Sequence, residues 1–538
     1  MIRGSVSVFL GLMISMIMSL FFSMAEVVHY KSLEKEAVSI GNSAVQSAFG
    51  EYNRLLWEDY GILAIDTDYG LDASGMGLLE DTVSNYIEKD FVLEDGGIDL
   101  LKLQVSEVNA QDNVFLTDHE GAAFIKEAVK CVEGELTEDA IQTLLGGCNE
   151  CVEASDKEIY ISDVLTDTQN CLSQIEDTSQ EDNSNQADSI AMTDDSKQIN
   201  NIKRTSGINR TDIILDGNMA GISPKFEEKN AETKEENTVE KSGEDVTNSL
   251  IAVIKDFESK GVLSQVLNDY DSVSNLAFST EENVSNRELM QGEGNVDDVS
   301  LRERGLFQYY LTKKFSCYGE KTPGNGMEYE LEYVLCGKNS DKENLTKTVE
   351  RILAIREVEN MISLSSDQKK MTEVKSMAAT AAAVVLHPEL EEVVSYGIMA
   401  AWAYLESVLD VRLLLSGGKV SLVKSTEEWT SELSQIATCL DTNVKAKECD
   451  TGITYKGYLF ALFSIESQKK MAYRGLDLIE ESLRQNEDYA YTKVDHCLVE
   501  SCITTKMDAS PLFMSFIPLY ENNISGYEFI TRRKISYL

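Results

Sequence analysis

The stretch Val6-Ser-Val-Phe-Leu-Gly-Leu-Met-Ile-Ser-Met-Ile-Met-Ser-Leu-Phe-Phe-Ser-Met-Ala25 decides how the whole chain is read. Twenty successive uncharged, mostly apolar residues form an α-helix about 30 Å long, the thickness of a bilayer's hydrocarbon core. The sequence therefore predicts one N-terminal transmembrane anchor over residues 1–28. Arg3 lies before the run, and Glu26, Lys31, Glu34, Lys35 and Glu36 lie after it. Lys31 and Lys35 offset Arg3, so charge alone orients the helix weakly. The short leading tail and the lack of a second span place the N-terminus in the cytoplasm and the large domain outside the cell membrane. A cleavable signal peptide is the competing reading, because Ser23-Met-Ala25 offers small residues at cleavage spacing. Against it, the apolar run is long, and Tyr30, Leu33, Ala37, Ile40, Ala44 and Ala48 continue a helical spacing without a break. That continuation predicts a stalk helix over 29–60. Within the span, Ser7, Gly11, Ser15, Ser19 and Ser23 recur every fourth residue. They form a small, weakly polar ridge on which a second helix, including that of another copy in a homo-oligomer, can pack closely.

Working outward, the chain has 538 residues with 48 basic and 92 acidic side chains, a net charge of −44. Nucleic-acid binding is disfavoured, since it needs clustered Lys and Arg; Lys313-Lys314 and Arg532 to Lys534 are short and isolated. Ten cysteines are too sparse for a disulfide scaffold. Cys317 and Cys336 flank the turn-rich Thr322-Pro-Gly-Asn-Gly326, and Cys439 and Cys449 flank another loop, which makes each pair a candidate disulfide.

The expected fold class is α+β: the anchor and stalk helix, then a helix-rich ectodomain with a small antiparallel sheet. Its first part, 61–176, contains a buried strand at Tyr60 to Ile65, a strand at Leu101 to Val108, and a helix capped by Thr117 or Asp118 with Phe124, Ile125, Ala128 and Val132 on its apolar face. Residues 177–300 read as an acidic low-complexity insertion, largely disordered between Asp177 and Asn248. Within it Leu250 to Phe278 has helical character and Glu281 to Val299 reads as a polar loop. In the second part, 301–538, Leu306, Tyr309, Tyr310 and Lys313 mark a helix, and Met327 to Cys336 reads as a strand. Ser340-Asp-Lys-Glu343 is a capping box opening a helix with Ile352, Ile355, Val358, Met361 and Ile362 on its apolar face. Ser376 to Leu386 and Val393 to Leu405 are apolar but too short to span, and read as core helices. Helices at Glu427 to Cys439, Tyr455 to Ser467 and Lys469 to Arg484 precede returning strands at Lys493 to Lys506 and Gly526 to Ser536.

Catalytic signatures are weak. The four histidines, His29, His119, His387 and His496, show no ligand spacing, and His119 reads as a helix N-terminal residue. Ser416-Gly-Gly-Lys419 lacks the first glycine and the hydroxyl of a phosphate loop and reads as a helix C-cap. Cys148-Asn-Glu-Cys151 has no second pair to complete a zinc site. Asp66, Asp68 and Asp72 form the one weak calcium candidate, although Gly77 stands where a calcium loop would place its bidentate Glu. No cofactor and no catalytic residue is expected.

Ordered short motifs carry a family resemblance. They are Arg3-Gly-Ser-Val-Ser-Val-Phe-Leu10, Phe49-Gly-Glu-Tyr-Asn-Arg-Leu-Leu56 with Tyr60-Gly, and Leu116-Thr-Asp118. Glu332-Tyr-Val-Leu-Cys-Gly-Lys338 follows with the Glu343-Asn-Leu helix start, then Ala400-Ala-Trp-Ala-Tyr-Leu-Glu406, Gly417-Gly-Lys419 and Tyr455-Lys-Gly-Tyr-Leu459. Together they resemble a bacterial domain-of-unknown-function family whose genes accompany the tight-adherence (Tad/Flp) pilus apparatus. The N-terminus is similar to TadE/TadG-like pseudopilins, but Val8-Phe9 stands where those proteins carry a Glu. The resemblance implies a membrane-anchored structural or assembly protein acting with membrane or pilus-assembly partners. A ligand-sensing ectodomain signalling through a membrane partner, and an extracellular carboxylate-based hydrolase, are the alternatives.

Overall fold

A computed structural model describes residues 2–71, 75–91, 102–135, 261–277, 279, 282–320, 326–384, 391–433, 443–513 and 526–538. The first helix, α1 (Ile2–Phe49), is unbroken for 48 residues, which makes it about 70 Å long. Its character changes near Glu26. Residues 7–21 are exposed all round, whereas Leu33, Ala37, Ile40, Ala44, Val45, Ala48 and Phe49 form one buried stripe. Helical spacing of three and four places these residues on a single face. The second half of α1 is thus no free-standing stalk, and it ends at Phe49 rather than Tyr60. A wide helical turn follows at Leu56–Tyr60, capped where the Asn53 side chain accepts from the Leu56 amide at 3.2 Å. Gly61 closes this turn at φ +70°, in the left-handed region that favours glycine.

The surface that grips α1 is an antiparallel sheet of β1 (Ile65–Asp66), β2 (Leu103–Phe115), β3 (Cys497–Ala509) and β4 (Tyr527–Ser536). Central β3 pairs with β2 on one side and with β1 and then β4 on the other; Thr505 lies opposite Val108 and Thr531. The two returning strands appear where alternation placed them, and β2 continues seven residues past Val108, across two irregularities in its register. The strand expected over Tyr60 to Ile65 reduces to the two-residue β1. Helices α1 and α2 (Gly77–Asp90) pack together on the sheet. Their shared core joins Leu33, Ile40 and Phe49 to Leu79, Val83, Ile503, Met507 and Phe529. Small residues bring α1 close: a Cβ on Gly41 would lie 2.8 Å from Thr505 Oγ1.

The remaining core is helical. It comprises α3 (Asp118–Val132), α4 (Val262–Val266), α5 (Leu301–Lys314), α6 (Glu330–Cys336), α7 (Asp341–Ser366), α8 (Gln368–Val384), α9 (Glu391–Leu415), α10 (Tyr455–Ile465) and α11 (Gln468–Arg484). α9 packs against α7 and α8, and α3 against α5 and α11. Ser340 caps α7, its hydroxyl accepting from the Glu343 amide at 3.4 Å. A fully reciprocal box that the sequence reading passed over opens α5, with Ser300 and Glu303 each bonding the other's amide. α9 buries Trp402, Leu405 and Leu409, so this apolar segment belongs to the core.

Several expectations are corrected. Met327 to Cys336 is not a strand: Leu331 through Leu335 are all buried, and a helix enclosed on all sides carries no polarity pattern to distinguish it from alternation. Glu427 to Leu433 is irregular, because the Thr430 and Ser431 amides donate to Glu406 at 3.0 and 2.8 Å instead of to helical carbonyls; residues 434–442 lie outside the described set. Within Leu250 to Phe278 the described residues form the short helix Val262–Val266 and a single 3-10 turn at Tyr270–Ser272. Residues 282–299 lack regular structure yet pack, with Asn283, Val284 and Val296 buried and Arg287 paired to Glu480 and Asp495. Asp177 to Asn248 lies outside the described residues.

Candidate functional site at the helix exit

α1 leaves the folded body at Glu26. Upstream, Val8, Met16 and Phe21 are 63%, 77% and 71% exposed, whereas Glu26 is 3% exposed. Among the described residues α1 is the one helix long and apolar enough to cross a membrane. Glu26 tolerates burial because donors surround it. The Phe513 amide donates to its carboxylate at 2.6 Å, the Leu512 amide at 3.3 Å and the Tyr527 hydroxyl at 3.0 Å. His29 Nδ1 lies 3.6 Å away. Burial and the Glu26 carboxylate push the Tyr527 phenol up to about 12, which keeps its donor proton in place. Aromatic rings close the collar: Phe513 stacks on Phe22 at 6.4 Å and meets the edge of His29 at 6.2 Å. Tyr30 lies 5.1 Å from Tyr527 and 5.4 Å from Phe529. The chain just past β3 (Leu512, Phe513) and the start of β4 (Tyr527) are therefore clamped to α1 at the boundary between its bare and packed halves.

The ridge residues Ser7, Gly11, Ser15 and Ser19 are exposed on the bare half and Ser23 is half-buried. Gly11 has open space where a Cβ would stand, and the Ser15 hydroxyl donates to the Leu12 carbonyl at 2.9 Å. Each four-residue step turns about 40° round a helix, so the five residues trace a slanted ridge rather than a straight stripe.

Among the described residues several buried polar clusters lie within the body, and three of them bear on the site candidates. In the first, Arg356 donates to Asp410 Oδ2 through Nε (3.0 Å) and Nη2 (2.8 Å), to the carbonyls of Ser421 and Leu422, and to Glu359. Lys424 pairs with Glu406 and, at 2.5 Å, with Asp410 Oδ1. Two cations face three carboxyls, and burial, only partly opposed by Arg356, pushes Glu359 up to about 7. This network ties α7 and α9 to the loop after α9 and has no access to solvent. In the second, Glu332 on α6 is fully buried, accepting from the Tyr455 hydroxyl at 2.7 Å and the Tyr318 amide at 2.9 Å. Burial pushes it up to about 7.

The third cluster contains two of the calcium candidates. Asp66 accepts from the Asp68 and Gly70 amides and, at 2.6 Å, from Thr492 Oγ1. Asp68 is bonded to His496 Nδ1, a contact that raises the His496 pKa. Both Asp66 oxygens and Asp68 Oδ2 are engaged by protein groups, Asp68 Oδ1 has no hydrogen-bond partner, and Asp72, the third calcium candidate, lies outside the described residues. Among the described residues no group of three or more His, Cys, Asp or Glu is arranged to hold a metal. Asp68 and His496 resemble the orienter and base of a catalytic set, but His496 Nε2 faces Asp495 Oδ2 at 3.9 Å, an acid rather than a hydroxyl or thiol.

The other sequence candidates are placed as follows. His119 sits at the start of α3 in a left-handed conformation, with Nε2 3.0 Å from the Gly294 carbonyl. Gly417 at φ +89° and the Gly418 amide bonded to the Leu413 carbonyl at 3.0 Å make Ser416 to Lys419 the C-cap of α9. Cys317 and Cys336 stand as free thiols, and Cys336 Sγ lies 3.4 Å from Thr348 Oγ1. Cys449 is also free, and Cys439, Cys148, Cys151 and His387 lie outside the described residues. Glu26 was missed because its partners Leu512 and Tyr527 are remote in sequence; an acid directly abutting an apolar run was the available signal.

Comparison with known proteins found a family of unknown function (DUF5702), whose model matches residues 240–509, half of the chain. No curated protein and no solved structure matches.

Proposed function

The chain belongs to DUF5702, a family of unknown function, and we propose that it is a membrane-anchored, extracytoplasmic structural or assembly component, a pseudopilin-like accessory of a Tad-type pilus or envelope machine. The observation that carries this reading is the contrast along α1. One continuous helix is apolar and bare over residues 7–21 and clamped to the sheet from Glu26 onward. A bare apolar helix of this length is costly in water and stable in lipid. Because the helix continues unbroken into the packed core, a push or rotation applied to the span is transmitted to the body without a hinge. The N-terminal likeness to pseudopilins supplies the type of machine, and the ridge Ser7, Gly11, Ser15, Ser19 and Ser23 supplies a face for a partner span or a second copy. The buried polar clusters act in this reading as structural ties and not as catalytic groups.

The test replaces Gly11 and Ser15 by Leu. Insertion should persist, since Leu is at least as apolar, while membrane partners that co-purify with the parent chain should be partly lost, because contacts between spans are worth only about 1 kcal/mol each. Leu12→Phe and Ile17→Phe, off the ridge, should keep them. Retention of every partner by the ridge variant, together with turnover of a substrate by a soluble fragment starting near Lys31, would reverse the reading in favour of catalysis. Protease treatment of intact, wall-stripped cells tests orientation: full protection of the body would place it inside.

A further inference from the structure

We propose that the chain just past β3, at Leu512 and Phe513, rests in the interfacial layer of the bilayer, so that the body sits flush on the lipid surface at Phe22 to Glu26. This inference rests on the anchored reading and adds to it a second contact with lipid. If residues 6–25 cross the hydrocarbon, the rise of an α-helix puts Glu26 about 30 Å from Val6, at the boundary on the body side. Phe513 lies at that same level, since its ring stacks on Phe22 and its amide donates to Glu26. This segment therefore cannot stand clear of a membrane that Phe22 occupies.

The chemistry at this level suits an interface. Around the exit, Met24, Val27 and Val28 are 64%, 61% and 67% exposed, so the apolar belt of α1 reaches past Glu26 on the side away from Phe513. Pro511, Leu512 and Phe513 are half-buried and carry no charge, so the contacting segment is free of the acidic residues that dominate a chain of net charge −44. Tyr30 and Tyr527 lie just behind, the amphipathic rings favoured at a headgroup boundary. The buried Glu26 carboxylate has its oxygens satisfied by two amides and a phenol, which lets it approach a low-dielectric layer, while the exposed Asp508 and Glu528 stand one residue further back on β3 and β4. Along α1 the first exposed ion pair beyond, Lys31 with Glu34, sits about a turn and a half further on, and the partly exposed pair Lys506 with Glu528 lies beside Tyr527, both in reach of the headgroups.

The test places tryptophan reporters in the full-length chain reconstituted into phosphatidylcholine nanodiscs with plain or brominated acyl chains. The parent's own Trp57, Trp402 and Trp429 provide the baseline. Three variants carry one added reporter each: Phe9→Trp within the span, Phe513→Trp just past β3, and Tyr491→Trp, which is exposed near the opposite end of β3. The expected result is loss of the added emission in brominated discs for Phe9→Trp and Phe513→Trp, and none for Tyr491→Trp. Leu512→Trp repeats the measurement should Phe513→Trp disturb the collar. Quenching at position 9 but at neither 512 nor 513 overturns the flush contact and leaves the anchor intact. Absence of quenching at position 9 overturns the anchored reading and this inference with it. Quenching at 491 as well overturns the geometry, because the body would then lie on its side.

Discussion

Replacing Glu332 by Gln should flatten the fall in stability of this chain between pH 5 and pH 8. Glu332 is fully buried and its Oε2 has no hydrogen-bond partner. Burial pushes the carboxyl up to about 7 from an ordinary 4.5, the Tyr455 hydroxyl and the Tyr318 amide offsetting only part of that cost. A carboxyl whose pKa is raised by folding stays protonated in the native state after the unfolded chain has lost its proton. Its contribution is therefore complete below about pH 4.5 and is lost as pH rises through about 7. A difference of about 2.5 units at about 1.4 kcal/mol per unit amounts to about 3 kcal/mol. Gln has the same shape and keeps an acceptor for Tyr455 and Tyr318. Its amide nitrogen meets the same unpartnered surroundings as the protonated Oε2, so the two proteins should be similar at pH 5, and the variant should be the more stable by up to about 3 kcal/mol at pH 8. Guanidinium unfolding of detergent-solubilised protein at several pH values, followed by the emission of buried Trp402 and Trp429, reads this difference. Glu359, also pushed up to about 7, leaves a residual slope in both proteins. Parallel pH profiles for parent and variant would refute the argument and mean that water or an unrecognised donor solvates Glu332.

Arg356→Met should destabilise the chain by about 3–5 kcal/mol in the same assay, because it strands the buried carboxyls of Asp410 and Glu359. Gly61→Ala should cost more than the about 1–2 kcal/mol of placing an alanine in the left-handed region, since its Cβ would also meet Cys131 Sγ at 2.5 Å. Cys317 and Cys336, whose thiols burial pushes up, should resist alkylation in the native protein and react fully in denaturant without reductant. Failure to react under the second condition would reveal a bridge between them.

Elements that depend on local pattern are legible from residue order alone. A charge-free run of twenty residues identified the apolar helix, spacings of three and four carried α1 through to Ala48, Ser340 marked the start of α7, and alternation located the returning strands β3 and β4. These signals are legible because each depends on neighbours within a few residues. The clamp at the helix exit was not legible, because Glu26 is satisfied by an amide 486 positions later in the chain. Nor was α6, whose all-round burial erases the polarity that distinguishes a helix from a strand. Residues 282–299 read as a free polar loop, because the few apolar residues that anchor them, Val284 and Val296, are helped by Arg287 reaching Glu480 and Asp495, partners remote in sequence. Composition measures what a segment can bury by itself, whereas tertiary structure decides which remote donors and acceptors it meets, and on those meetings the grip of the body on its first helix depends.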